Sequence, residues 1–157
     1  MSHFLRPLLE GARKAEFVNE RTGACVATTV ETAFDSATRR RGLLGRDGLA
    51  DGHALVLAPC NAIHTVRMRF PIDVLFVARD GLVTKIVERL GPWRVAASFS
   101  AFATVEFRAG TLGDHDVNVG DRLAIRSVID DLRSAPDIRL ATGRRVRVAD
   151  GPFPRNT

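Results

Sequence analysis

Apolar and polar positions along this chain alternate over short stretches, the signature of short strands rather than long helices. From Ala24 to Thr32 a run rich in β-branched residues follows Gly23 and reads as a strand, and Ala54 to Leu57 is a short apolar strand running into Pro59. Between them, Asp35 or Ser36 stands where a helix cap belongs, and Ala37 to Leu44 reads as a brief helix cut short by Gly42 and Gly45. The strongest signal is central. Ile72 to Ala78 and Leu82 to Val87 are two β-rich runs separated by Arg79-Asp80-Gly81, and an Asp-Gly step between such runs predicts a hairpin. Trp93 to Ala103 reads as a loop or short helix, with Trp93 packing it down or marking a pocket wall. Thr104 to Arg108 reads as a strand, Gly113 to Asp116 as a turn and Leu123 to Val128 as a further strand. So many short strands predict a mainly β domain with a minor α part: a small barrel-like closed sheet with a central hairpin and one or two short helices.

Phe4, Leu5, Leu8, Leu9 and Ala12 recur at roughly helical spacing, so residues 1–14 are expected to form a helical segment that docks on the body. The barrel-like domain is assigned to residues 15–129. After Asp130 the sequence turns linker-like and then arginine-rich, and residues 130–157 are expected to be a partly disordered extension.

A chain of 157 residues, 45% hydrophobic and 26% charged, supports one real core and excludes a disordered protein. Two cysteines are too few for a disulfide framework, and the N-terminus has no secretion-signal pattern, so the expected location is the cytoplasm. No apolar run approaches the roughly 20 residues needed to span a bilayer, so no transmembrane segment is expected. The net charge of +5 is almost all arginine, Lys14 and Lys85 being the only lysines. Those arginines are scattered, with no aromatic interleaving and no nucleic-acid-binding motif, so nucleic acid is not an expected partner.

Candidate chemistry gathers in the stretch Pro59 to Gly81. Cys60, His64 and Met68 are spaced by four, which on a helix would suit a soft metal. Flanking prolines and the β-branched Ile63, Thr65 and Val66 favour extended chain instead, where that spacing spans roughly 13 Å, too far to share one ion. The same distance weighs against a Cys60–His64 nucleophile pair. No resident metal and no cofactor are therefore expected, although Asp73, Glu106, His115 and Asp116 could converge as ligands from other strands. Asp73 lies within an apolar strand and must be satisfied there by backbone donors or by Arg46, Arg67 or Arg69. Glu106 poses the same question on a second strand. Held close together, Asp73 and Glu106 would shift each other's protonation and could do acid/base work.

With GLLGR, PIDVLFVARDG, VEFRAG and VGDRL placed in this order, the chain resembles the bacterial and archaeal family known as domain of unknown function 192. The likeness runs from about Ala24 to Ser127. It comprises Arg41-Gly42-Leu43 followed by Arg46, Pro71-Ile72-Asp73 opening a strand, Glu106 ahead of Ala109-Gly110, and Gly120-Asp121. The resemblance implies a compact, mostly β, barrel-like fold with a short helix, and very little chemistry.

The expected function is that of a small module binding a small molecule, peptide or protein partner in a cleft lined by His64, Met68, Asp73, Trp93, Arg94 and Glu106. The alternative is an acid/base or metal-assisted hydrolase built on Asp73 and Glu106, with Cys60, His64 or His115 in support.

Overall fold

A computed structural model describes residues 3–11 and 15–127; the expected C-terminal extension and both ends of the N-terminal segment lie outside these residues. In chain order come α1 (Arg6–Leu9), β1 (Ala15–Asn19), β2 (Cys25–Ala27), β3 (Thr29–Ala33), α2 (Ser36–Arg41), β4 (His53–Leu57) and β5 (Ala62–His64). They are followed by β6 (Ile72–Val77), β7 (Val83–Leu90), β8 (Val95–Ala97), β9 (Ala103–Arg108), α3 (Thr111–Asp114) and β10 (Leu123–Ser127). The protein is mainly β, as its pattern predicts. The strands form three sheets: β10-β1-β2, β3-β4-β9-β6-β7 and the ribbon β5-β8.

The closed barrel is not formed, because among the described residues no sheet returns to pair its own edges: β3 and β7 are the open edges of the five-stranded sheet. Burial explains why. In a small barrel each strand would turn one face to the core and one outward, whereas every residue of β6 is buried. Leu75 and Val77 enter one core together with Val105 and Phe107 of β9 and Phe17, Leu123 and Ile125 of the three-stranded sheet. Val74 and Phe76, from the same strand, enter a second core with Leu55, Leu57, Leu43, Ile63 and Met68. The five-stranded sheet is thus a middle layer. The three-stranded sheet covers one of its faces, and the α2 segment with the β5-β8 ribbon covers the other.

The hairpin forms where the Asp-Gly signal lies. Gly81 N–H donates to Ala78 O (3.0 Å) and Ala78 N–H to Leu82 O (2.9 Å), with Gly81 at φ 88°, a type I turn closed by a glycine bulge. A side chain at Gly81 would also meet Leu123 O at 2.3 Å, so only glycine lets the turn lie against the first sheet. At this corner Leu82 bridges Arg122 and Leu123 N–H donates to Gly81 O (2.9 Å).

The Ala24 to Thr32 run is two strands rather than one. At its middle Thr28 and Thr29 both donate backbone N–H to Gly52 O (2.9 and 3.0 Å), and the chain passes from the first sheet into the second. β3 then pairs parallel to β4, which requires a crossover; α2 and the loop after it supply it. α2 starts on the expected cap, with Asp35 accepting from the N–H groups of Ala37 and Thr38 (both 2.9 Å). The stretch after Trp93 holds β8 rather than a short helix, and the stretch expected as a turn begins inside α3. At the N-terminus Phe4 and Leu5 are buried against the first core, next to the short helix α1.

Candidate functional site

Strand β9 brings the central carboxyl into place. Ala103, Val105 and Phe107 alternate into the first core, so Thr104, Glu106 and Arg108 lie on the opposite face. In register, Glu106 sits between Leu55 of β4 and Val74 of β6, with aliphatic side chains on both flanks. It is only 5% exposed, and its Oε2 has no hydrogen-bond partner among the described residues. Burial raises its pKa to about 7, while the positive charge of Arg46 pulls weakly the other way. Arg46 cannot do more because it is engaged elsewhere. Its guanidinium donates to Glu31 Oε1 and Oε2 (3.0 and 2.8 Å), which holds the Glu31 carboxyl below its ordinary range.

Glu106 lines a cleft of about 620 Å³ between the α2 segment and the β5-β8 ribbon. Leu43, Leu57, Ile63 and Met68 supply apolar walls, Cys60 and His64 polar ones, and Arg39, Arg40 and Arg41 stand along the helix side. Each wall has its own anchor. Arg39 donates to the carbonyls of Phe34 and Ala58, stapling α2 to the end of β4. Thr104 Oγ1 donates to Cys60 O (3.0 Å), fixing the chain where it enters the ribbon. Arg39, Arg40 and Arg41 make no ion pair among the described residues.

Of the six residues expected to line the cleft, His64, Met68 and Glu106 do so, and Asp73, Trp93 and Arg94 do not. Asp73 faces the first core, because it neighbours Val74 in β6 and Val74 is the residue paired with Glu106. The two acids are on opposite faces of one sheet, which removes the expected carboxylate pair and with it the Asp73–Glu106 hydrolase. Asp73 is fully buried and satisfied by three backbone donors: Arg89 N–H to Oδ1 (2.8 Å), and Gly110 and Leu112 N–H to Oδ2 (2.9 and 3.0 Å). None of the three candidate arginines reaches it. It is a clamp tying the end of β7 to the start of α3.

Trp93 is 66% exposed and packs nothing down; its backbone and that of Arg94 are instead held by Thr65, through Trp93 N–H to Thr65 O (3.0 Å) and Arg94 N–H to Thr65 Oγ1 (2.9 Å). His115 ends α3, and Asp116 pairs with Arg21 (3.1 Å), so neither joins Glu106. Among the described residues no three His, Cys, Asp or Glu side chains are placed to hold a metal ion. The helix-side wall, Arg39 to Leu44, was not foreseen as part of the site. Its signal in the sequence was three arginines leading into a glycine-punctuated Leu-Leu pair.

The family model for DUF192, an uncharacterised family described as "Uncharacterized ACR", matches residues 17–125, more than half of the chain. The chain belongs to the DUF192 family. No curated protein matches it significantly. Two solved structures are similar to this DUF192 chain. One is a candidate transcription regulator from Sinorhizobium meliloti 1021, with TM-score 0.62 and 26% identity, covering 70% of this chain and 90% of that one. The other is a protein of unknown function from Novosphingobium aromaticivorans DSM 12444, with TM-score 0.61 and 20% identity, covering 70% and 82%; it shares the fold. In this DUF192 chain Gly42, Leu43 and Leu44 of the GLLGR run belong to the helix-side wall of the cleft, VEFRAG carries its buried acid, and Pro71-Ile72-Asp73 opens the strand that bears the clamp. No helix among the described residues is long and apolar enough to cross a membrane.

Proposed function

We propose that this DUF192 protein is a small binding module and that the Glu106 cleft takes a small molecule or the end of a peptide. One observation carries the reading: the carboxyl of Glu106 is buried at the cleft, with Oε2 unpartnered among the described residues. An orphaned buried polar group costs roughly 1 to 3 kcal/mol, and a ligand that brings a hydrogen-bond partner recovers that cost on binding. The volume of about 620 Å³ falls within the usual range of ligand clefts, and the lining combines an apolar wall with polar and charged groups that can orient a ligand.

The Sinorhizobium meliloti neighbour is described as a candidate regulator. Carried to this chain, such a role fits ligand sensing better than helix-based DNA reading, since the longest described helix, Ser36–Arg41, has six residues.

A ligand-observed NMR screen of the purified protein with small amides, amines and carboxylic acids tests the proposal. Binders are expected to shift the amides of Cys60, His64 and Glu106 and to weaken at least tenfold in the near-isosteric Glu106→Gln. A folded protein in which no probe moves those resonances would sink it.

A further inference from the structure

The cleft has a polarity that constrains what enters it. Among the described residues its one carboxyl, Glu106, is buried among Leu55, Leu57 and Val74, while Arg40 and Arg41 are exposed residues at the end of α2. Arg39 is already committed to the carbonyls of Phe34 and Ala58. Arg40 uses its Nε on Ser36 O (3.1 Å), which leaves the rest of its planar fork for another acceptor. The rest of the lining is mixed: Leu43, Leu57, Ile63 and Met68 form an apolar wall, and Cys60 and His64 add polar groups beside it.

A simple anion would meet the arginines but place its body against the acid, and a simple cation would meet the acid only after passing two like charges. A molecule with a cationic head and an anionic tail complements both the buried acid and the exposed arginines. Resting on the binding role proposed above, we infer that the ligand is amphoteric: a primary amine donates to the Glu106 carboxylate, an aliphatic spacer lies along the apolar wall, and a carboxylate is held by Arg40 and Arg41. An ammonium brings three donors to the orphaned oxygen and its partner, and guanidinium forks match a carboxylate two bonds at a time. Arg46 does not compete for the acid, because Glu31 holds it.

Calorimetric titration of the intact protein with 4-aminobutyrate, 6-aminohexanoate and 8-aminooctanoate, beside hexylamine and hexanoate, tests the assignment. At least one amino acid of the series is expected to bind tenfold or more tightly than both singly charged controls. Glu106→Gln should cost that ligand at least tenfold and leave hexanoate within about twofold. The double variant Arg40→Gln with Arg41→Gln, at exposed positions that do not threaten folding, should weaken both carboxylates and spare hexylamine. Hexylamine or hexanoate binding as tightly as every amino acid overturns the inference, as does an amino acid indifferent to both variants. If none of the five binds while other small molecules still shift Cys60 and His64, the amphoteric ligand is wrong and the cleft remains a binding site.

Discussion

Two buried acids in this protein meet opposite fates, and the difference is one of hydrogen-bond supply. Asp73 has three backbone N–H groups within 3.0 Å, whereas Glu106 Oε2 has no partner among the described residues. Removing the Asp73 carboxylate strands three donors in the interior, and Asp73→Ala is expected to cost about 3 kcal/mol or more in urea unfolding. Glu106 carries a pH dependence of the other kind. Its folded pKa of about 7 lies above the ordinary 4.5, so the folded state binds its proton more tightly than the unfolded state does. Its contribution to stability is whole below about pH 4.5 and is lost as pH rises through about 7, a change on the order of 3 kcal/mol. Thermal unfolding of the wild type should therefore weaken from pH 5 to pH 8 relative to Glu106→Gln, whose profile lacks this slope. Asp121 acts in a separate window: Arg21 holds its pKa at about 2, so its contribution is lost only as pH falls from 3.8 through about 2. That Asp73 would be buried and satisfied was legible from its apolar setting. That it would not meet Glu106 was not, because the face an acid occupies relative to a partner strand depends on register, and one residue of shift reverses it.

At the scale of elements, the sequence was most readable where a local rule is strong. The hairpin followed from Asp-Gly, the start of α2 from Asp35, and the ends of β4 and β7 from the proline and glycine that follow them. Gly81 serves two ends at once, the turn and the contact with Leu123 O. Gly81→Ala meets both a positive φ and a 2.3 Å approach, and is expected to destabilise by more than about 1 kcal/mol while also shifting the amide resonance of Leu123. The extended chain around His64 was legible from Ile63, Thr65 and Val66, but its pairing as β5 with β8 was hidden for the converse reason. Each is held mainly by the other, through His64 opposite Val95 and Ala62 opposite Ala97, and no rule within either segment announces a partner some thirty residues away. The edges of the central sheet carry charge where they are open, with Glu31 on β3 and Lys85, Glu88 and Arg89 on β7, which discourages pairing with another chain.

At the scale of the molecule, the expectation of a barrel came from counting short strands, and the layered structure came from something the count ignores. The apolar run of β6, interrupted only by Asp73, was the clue: a strand apolar at both odd and even positions is covered on both faces, and a sheet covered on both faces is a middle layer. The parallel pairing of β3 with β4 had no local signature, since the crossover that permits it is read only after both strands are placed. Strand β9 shares this double burial, with Glu106 on the cleft side and Phe107 in the opposite core. A molecule settling beside Glu106 thus presses on the same backbone that anchors the far layer. Slower amide exchange at Phe107 and its cross-strand partner Ala54 would register its arrival from behind the wall, reporting occupancy at a place the visitor never touches.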